Sequence, residues 1–218
     1  MSARPYQLRH LMIGDEPESW EAAGFSIEGA ATRVGSTVIS LVGAGRDRGI
    51  LEACAQGVTG RIDGLPLHGG PWVGAEPLAV HGNGVIGLDH LVAMSPDMDR
   101  TTNALSRSGL EHRRTRTFDV GGSTRRQAFF WMGDVILELV GDHDAHGDGP
   151  ALLWGLAFTC GDLHESARCL GDRMGAVKPA VQKGREIATL RTEELGISVP
   201  IVLMSPHPDG EPEEPTDA

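Results

Sequence analysis

Apolar residues recur along the chain in short runs of strand length, separated by polar turns and a few amphipathic segments. The clearest run is 85–94 (VIGLDHLVAM), which is followed by Ser95-Pro96. Serine is a favourable helix N-cap and proline is favourable at the first helical position. The pattern predicts a strand and then a helix that ends near Ser108, where Gly109 permits a left-handed turn.

A second apolar segment, RQAFFWMGDVILELV (126–140), predicts two strands joined by Gly133-Asp134. Glycine and aspartate are suited to a two-residue hairpin turn. With that turn, Phe129 faces Glu138 across the hairpin, and alternate residues share a face. The face that carries Glu138 then consists otherwise of aromatic and aliphatic side chains and one amide, namely Gln127, Phe129, Trp131, Ile136 and Val140. Such a surface is typical of a pocket wall.

The order of strand, helix and further strands occurs three times along the chain. The copy at 152–205 has a predicted helix from Asp162 to Met174, ended by Gly175, and the copy at 8–55 is shorter. We therefore divide the chain into five segments: a degenerate N-terminal βαβββ-like module (1–66), a Gly/Pro-rich linker (67–84), a βαβββ module (85–142), a second such module (151–206) and an acidic tail (207–218).

Composition narrows the class of protein. The 218 residues are 40% hydrophobic and 22% charged, as in ordinary globular proteins. No apolar run is long enough for a membrane helix or a secretory signal, so we expect a cytoplasmic protein without membrane contact. Part of the net charge of −11 comes from the acidic, proline-rich tail, which we expect to be disordered. The absence of a basic stripe in the sequence argues against nucleic acid as a partner.

The segment Leu88-Asp89-His90-Leu91-Val92, together with the hairpin that contains Glu138, resembles the vicinal oxygen chelate superfamily. That superfamily includes glyoxalase I, methylmalonyl-CoA epimerase, extradiol dioxygenases and bleomycin-resistance proteins. The resemblance covers 85–142 well, 151–206 moderately and 1–66 weakly. It implies an α+β fold in which repeated βαβββ modules form curved mixed sheets around a cleft.

The resemblance also implies a divalent metal, because His90 and Glu138 stand where that superfamily has ligands on the first and last strands of a module. A carboxylate in an apolar strand is costly to bury unless it is paired, protonated or bound to metal. Imidazole and carboxylate groups suit zinc, nickel, cobalt, manganese or ferrous iron. A hydrogen bond between the two side chains, without metal, is the alternative. The C-terminal module offers only Gly155 and about Leu203 at these positions.

A full ligand set requires the first two modules to pair. Leu8-Arg9-His10-Leu11 echoes the segment around His90, and Ile50-Leu51-Glu52 echoes the segment around Glu138. Pairing these modules would gather His10, Glu52, His90 and Glu138. The short connection between the second and third modules instead favours those two as partners.

Two functions are compatible with these residues. One is a metal-dependent lyase or isomerase of the glyoxalase or epimerase type, in which the metal stabilises an enediolate and Glu138 is a ligand or general base. The other is a non-catalytic protein that holds a small molecule, as bleomycin-resistance proteins do, over a vestigial metal site. Gln127, Phe129, Trp131 and Arg185 are the expected pocket residues. The expected partner is a small molecule, and a homodimer is left open.

Overall fold

The structure is a computed structural model that describes residues 6–45, 47–70 and 79–208. Two mixed β-sheets, of five and eight strands, contain most of the regular structure, and three short helices accompany them. The predicted α+β class with curled mixed sheets is confirmed. None of the helices in the described ranges has the length and apolar composition needed to cross a bilayer.

The strands, in chain order, are β1 (Gln7–Ile13), β2 (Ala31–Val34), β3 (Thr37–Leu41), β4 (Ile50–Gln56), β5 (Leu67–His68), β6 (Val85–Met94), β7 (His112–Val120), β8 (Ser123–Met132), β9 (Val135–Asp142), β10 (Leu152–Cys160), β11 (Lys178–Pro179), β12 (Glu186–Thr189) and β13 (Ile201–Met204). The helices are α1 (Pro17–Ala22), α2 (Met98–Arg107) and α3 (Leu163–Leu170), the last followed by a 3₁₀ turn at Gly171–Arg173. Within the predicted linker the structure describes 67–70 and 79–84. Of the predicted tail it describes only residues 207 and 208, which have no regular structure.

The eight-stranded sheet combines the second and third predicted modules. Its strand order is β11-β12-β13-β10-β6-β9-β8-β7, and it curls into a half-barrel. The first strands of the two modules, β6 and β10, lie antiparallel at its centre, and each is also paired in parallel with the last strand of its own module. The structure therefore joins the two modules that are connected by a short loop.

A local two-fold relation in strand pairing links the two halves of this sheet. Leu91 pairs with Leu156 at the centre of this relation. On one side of it Val92 pairs with Gly155, and on the other side His90 pairs with Ala157, so these two pairs are equivalent. Gly155 then corresponds to His90, as the sequence predicted. Glu138 pairs with Val92, the second residue after His90. Val202 pairs with Ala157, the second residue after Gly155, so Val202 is the counterpart of Glu138. The sequence estimate of Leu203 was one residue too late.

The five-stranded sheet contains the N-terminal module in the order β2-β3-β1-β4-β5. Strand β1 is parallel to β3 and antiparallel to β4. In the larger sheet, β6 is parallel to β9 and antiparallel to β10. Strand β4 therefore corresponds to β10, whereas β9 corresponds to β3. The sequence echo between Ile50-Leu51-Glu52 and the strand of Glu138 does not reflect equivalent positions.

The N-terminal module packs against the back of the eight-stranded sheet. The Trp20 ring of α1 lies 5.0 Å from that of Phe25 and 6.4 Å from that of Phe158 on β10, measured between centroids. All three side chains are buried. Aromatic rings dominate core energetics because each removes a large apolar surface from water. This packing covers one face of the large sheet and leaves the other to the candidate site.

Local chemistry shifts two helix boundaries from the sequence prediction, and one polar stretch forms a further strand. The N-cap of α2 is Asp97, whose carboxylate accepts from the Arg100 amide, whereas Ser95 still belongs to the strand pairing through its amide. Helix α3 ends at Leu170 because Gly171 takes a positive φ of 54°, four residues before the predicted stop. The polar stretch at 112–120 forms the edge strand β7, which lacks the apolar alternation of a half-buried strand.

Candidate functional site

The hairpin of β8 and β9 has the predicted register. Met132 pairs with Val135 across the Gly133-Asp134 turn, and Phe129 pairs with Glu138. On the back of the sheet, alternate side chains such as Phe130 and Leu137 are fully buried. The opposite face carries Gln127, Phe129, Trp131 and Glu138, and we call it the cleft face.

A β-bulge in β6 brings two neighbouring polar residues to the cleft face. Leu88 pairs with Phe158 and His90 with Ala157, so Asp89 is an extra residue between the pairs. Successive side chains in a regular strand point to opposite faces, whereas a bulge re-aims them. As a result Asp89 Oδ1 lies 2.8 Å from His90 Nδ1. A carboxylate only accepts, so Nδ1 is the donor in this bond.

Arg185 holds Asp89 from the other side. Its Nη2 lies 2.5 Å from Asp89 Oδ2, with the two side chains 1% and 7% exposed. Its Nε also donates to the Ser205 carbonyl at 2.9 Å, and Thr159 Oγ1 donates to Asp89 at 3.1 Å. Burial acts to raise the pKa of the Asp89 carboxyl, but the hydrogen bonds and charges of His90 and Arg185 outweigh it and hold that pKa well below its usual range. Asp89 is therefore a carboxylate at neutral pH.

The polar contacts continue across the centre of the sheet. His90 Nε2 lies 3.6 Å from Glu138 Oε2. Gln127 Nε2 donates to Glu138 Oε1, and Arg116 Nε on β7 donates to Gln127 Oε1 at 2.5 Å. Together with Arg185 and Asp89, these residues form a continuous polar row from the start of β12 to β7. The hydrogen bonds and ion pairs along this row offset the cost of placing polar groups in a low-dielectric site.

Aromatic and cationic side chains form the wall beside this polar row. The guanidinium carbons of Arg114 and Arg116 lie 4.8 and 5.5 Å from the Phe129 ring centroid, within the range of cation–π attraction. Trp131 is buried on the same face. Phe129 and Trp131 thus lie on the same face of the hairpin as Glu138.

Sequence reasoning missed the other aromatic residue at this site. Trp154 forms a bulge in β10 between Leu153 and Gly155, and the two-fold relation makes it the counterpart of Asp89. Trp154 is 46% exposed, and its counterpart Asp89 lies on the cleft face, so the two-fold relation assigns Trp154 to that face as well. The tryptophan within the apolar run 152–160 was the available sequence signal, but the direction of its side chain depended on the bulge.

No family model and no curated protein matches the sequence, whereas the fold is similar to several solved structures. A mutant of 4-hydroxymandelate synthase from Streptomyces coelicolor is 12% identical, with 92% of this chain and 92% of that chain covered and a TM-score of 0.60. An extradiol ring-cleaving dioxygenase from B. fuscum is 14% identical, with 98% and 75% covered and a TM-score of 0.56. A halotolerant catechol dioxygenase is 11% identical, with 91% and 86% covered and a TM-score of 0.54.

The first two of these proteins are members of the vicinal oxygen chelate superfamily. This chain has the vicinal oxygen chelate fold. At these identities the likeness concerns the arrangement of strands, so the chemistry of the site has to be judged from its own residues.

The cleft of this vicinal oxygen chelate fold does not contain a full metal-ligand set. His90 Nε2 and Glu138 Oε2 face each other, but their counterparts in the other half of the sheet are Gly155 and Val202, which carry no donor side chain. Stable protein metal sites generally offer three or four ligands. Across the described ranges, no three His, Cys, Asp or Glu side chains are gathered in a ready-made metal site. The cleft residues therefore do not fit a resident metal.

The remaining two ligand candidates lie in the other sheet. His10 on β1 has its Nε2 2.8 Å from Ser40 Oγ, and Glu52 on β4 has its Oε1 2.9 Å from His68 Nε2. Both strands belong to the five-stranded sheet. The structure thus brings His90 and Glu138 together but does not gather them with His10 and Glu52.

Proposed function

We propose that this chain binds a planar aromatic small molecule on the cleft face of the eight-stranded sheet, without the help of a resident metal. The proposal rests on the small number of side chains at the centre of the cleft that could bind a metal. His90 and Glu138 supply two donors, while Gly155 and Val202 supply none. This face offers a ligand aromatic surface and a row of polar groups that are already paired with one another.

The lining supports an aromatic ligand. Trp154 is 46% exposed and is assigned to this face by its two-fold relation to Asp89, and Phe129 and Trp131 lie on the hairpin of the same sheet. Aromatic faces stack favourably on planar ligands, and a few placed polar groups fix the orientation of such ligands in a pocket. The structural neighbours named for 4-hydroxymandelate and catechol make phenolic compounds the first probes to test.

The nearby arginines favour an acidic substituent on the ring. Arg114 and Arg116 stand over Phe129 and bring positive charge to one side of the face. Glu138 lies between this side and His90. A phenol with a carboxylate, such as 4-hydroxymandelate, would place its acidic group toward the arginines and its hydroxyl toward the polar row.

A metal-dependent lyase or isomerase is the second candidate function, and the contact between His90 and Glu138 favours it. The 3.6 Å between Nε2 and Oε2 is wide enough for both atoms to bind one cation at distances near 2.1 Å. A substrate with two vicinal oxygens would have to complete the coordination. In that function Glu138 would be a ligand or, when displaced, a general base.

Tryptophan fluorescence distinguishes the two functions. Protein stripped with a chelator is titrated with 4-hydroxymandelate and with catechol, with and without added zinc or cobalt. We expect saturable quenching that is the same with and without metal, loss of binding in Trp154→Ala, and retention in Val42→Ala, an exposed residue that follows β3 of the five-stranded sheet. Binding that requires metal and is lost in Glu138→Gln would establish the second function. No binding of either phenol under any condition would refute the aromatic-ligand proposal.

A further inference from the structure

The five-stranded sheet repeats the strand pairing at the centre of the larger one. Strand β1 has a bulge at Arg9, between Leu8 and His10, where β6 has its bulge at Asp89. Each of these strands is also parallel to one neighbour and antiparallel to the other. Aligning the two registers makes His10 the equivalent of His90.

The same alignment locates two further side chains. Glu52 pairs with Met12, two residues beyond His10, and so takes the position that Gly155 has in the larger sheet. His68 pairs with Cys54 on β4 and takes the position of Val202. The smaller sheet thus has donor side chains where the larger sheet has none.

His10, Glu52 and His68 are close enough to influence one another. Glu52 Oε1 lies 2.9 Å from His68 Nε2. Burial is the main cause of the lowered pKa of His10, the carboxylate of Glu52 opposes this shift, and the charge of His68 adds to it. The hydrogen bond from Glu52 is the main cause of the raised pKa of His68. The strand pairing agrees with this, because His10 and His68 both pair with Cys54, and Glu52 lies two residues from Cys54 on β4, so the three residues share one face of the sheet.

The cluster is open to solvent on one side. The side chains of Glu52 and His68 are 40% and 49% exposed, whereas His10 is partly buried beside Ser40. Exposed side chains change rotamer easily, so Glu52 and His68 can exchange their mutual hydrogen bond for bonds to a cation. Cys54 lies between the two histidines, but burial and the nearby Glu52 raise the pKa of its thiol, which disfavours the thiolate that metals require.

We propose that His10, Glu52 and His68 form a divalent metal site on the five-stranded sheet, separate from the cleft of the larger sheet. Two imidazoles and one carboxylate are a donor set suited to zinc or cobalt, with a further position left to water or a ligand. Binding draws the three side chains together: His10 Nε2 leaves Ser40 Oγ, and Glu52 and His68 part. The function proposed for the cleft does not depend on this site.

Cobalt titration of chelator-treated, tag-free protein tests this site through its visible absorption spectrum, and a zinc-dependent rise in melting temperature is a second readout. We expect one equivalent of cobalt to bind and its affinity to fall more than about 100-fold in Glu52→Gln and in His68→Ala, beyond the 10–100-fold that outer-shell changes cost. The matched controls Glu138→Gln and His90→Ala, which alter the larger sheet, should keep the wild-type affinity. Far-UV circular dichroism of the metal-free variants verifies that they fold.

The proposed site is refuted if the wild-type protein binds no cobalt. It is also refuted if the affinity for cobalt falls in Glu138→Gln but not in His68→Ala, because the metal would then lie in the cleft. NMR of the imidazole nitrogens in wild type gives an answer that does not depend on any variant. Zinc should shift the resonances of His10 and His68 together. Shifts confined to His90 would overturn the proposal.

Discussion

Asp89 and His90 are consecutive residues whose side chains meet, with 2.8 Å between Oδ1 and Nδ1. The bulge in β6 makes this contact possible, since a regular strand would separate the two side chains across the sheet. Because Nδ1 donates to Asp89, Nε2 is the ring nitrogen that faces Glu138. Arg185 completes the arrangement by pairing with Asp89, whose side chain is only 7% exposed.

Replacing Asp89 with Asn should reduce the free energy of unfolding by about 3–5 kcal/mol, because removal of one partner of a buried ion pair leaves the other charge uncompensated. The uncompensated charge here is that of Arg185. Urea denaturation measures the change. Thr159→Ala removes only a neutral donor to Asp89 and should cost about 1 kcal/mol. Equal losses in the two variants would show that the charge of Asp89 contributes little.

The same ion pair predicts a pH dependence of stability. The pKa of Asp89 is lowered in the folded protein, so its contribution is fully present above the unfolded value of about 3.9 and is lost as pH falls through the lower folded value. The stability difference between wild type and Asp89→Asn should therefore be constant from pH 7 to about 5 and shrink below about 4. Urea denaturation at a series of pH values measures it. A difference that widens on acidification would contradict this assignment.

The repeat of strand, helix and strands identified the fold from sequence because each module buries one face of its strands, which leaves a period-two pattern. The β8–β9 hairpin was predictable to the residue, since the Gly133-Asp134 turn alone determines which side chains face each other. Edge strand β7 could not be predicted in this way, because an edge strand that packs little of its surface needs no alternation of apolar and polar residues. The pairing of modules was suggested only by the length of a loop.

The candidate site was predictable in part. His90 and Glu138 stood out as charged or polar residues within apolar runs, and the structure places them side by side. The role of Arg185 as the partner of Asp89 was not visible, because 96 positions separate them in sequence. Bulges at Asp89 and Trp154 also escaped prediction, since a bulge depends on the pairing partner as much as on the strand itself.

The two N-caps give a matched pair of variants. Asp97 and Asp162 each accept a backbone amide in the first turn of a helix, at 2.9 and 3.0 Å. Replacing either with Ala should cost about 1 kcal/mol, because an orphan amide at the helix start loses its partner. Asp144→Ala, at a side chain 94% exposed, should change stability by less than about 0.5 kcal/mol. Thermal denaturation that ranks Asp144→Ala with the cap variants would refute the capping roles.

A single buried carboxylate fastens the N-terminal module to the C-terminal one. The side chain of Asp15 is fully buried and accepts the Trp20 indole N–H at 3.1 Å, the Ser198 amide at 3.0 Å and a guanidinium N–H of Arg48 at 3.2 Å. Ser198 lies shortly before β13, so these bonds connect α1 with the far half of the large sheet. The junction therefore depends on polar contacts as well as on the packing of Trp20.

Asp15→Ala should lower the free energy of unfolding by about 2–6 kcal/mol, because the buried N–H donors of Trp20 and Ser198 lose their acceptor at about 1–3 kcal/mol each. Arg48→Ala removes the partly exposed cation but leaves both of these bonds to Asp15 in place, so it should cost less than Asp15→Ala. Amide hydrogen exchange gives a local readout: protection at Ser198 should fall in Asp15→Ala and persist in Arg48→Ala. If both variants lose the same stability and the Ser198 amide stays protected in both, the junction is held by apolar packing rather than by Asp15.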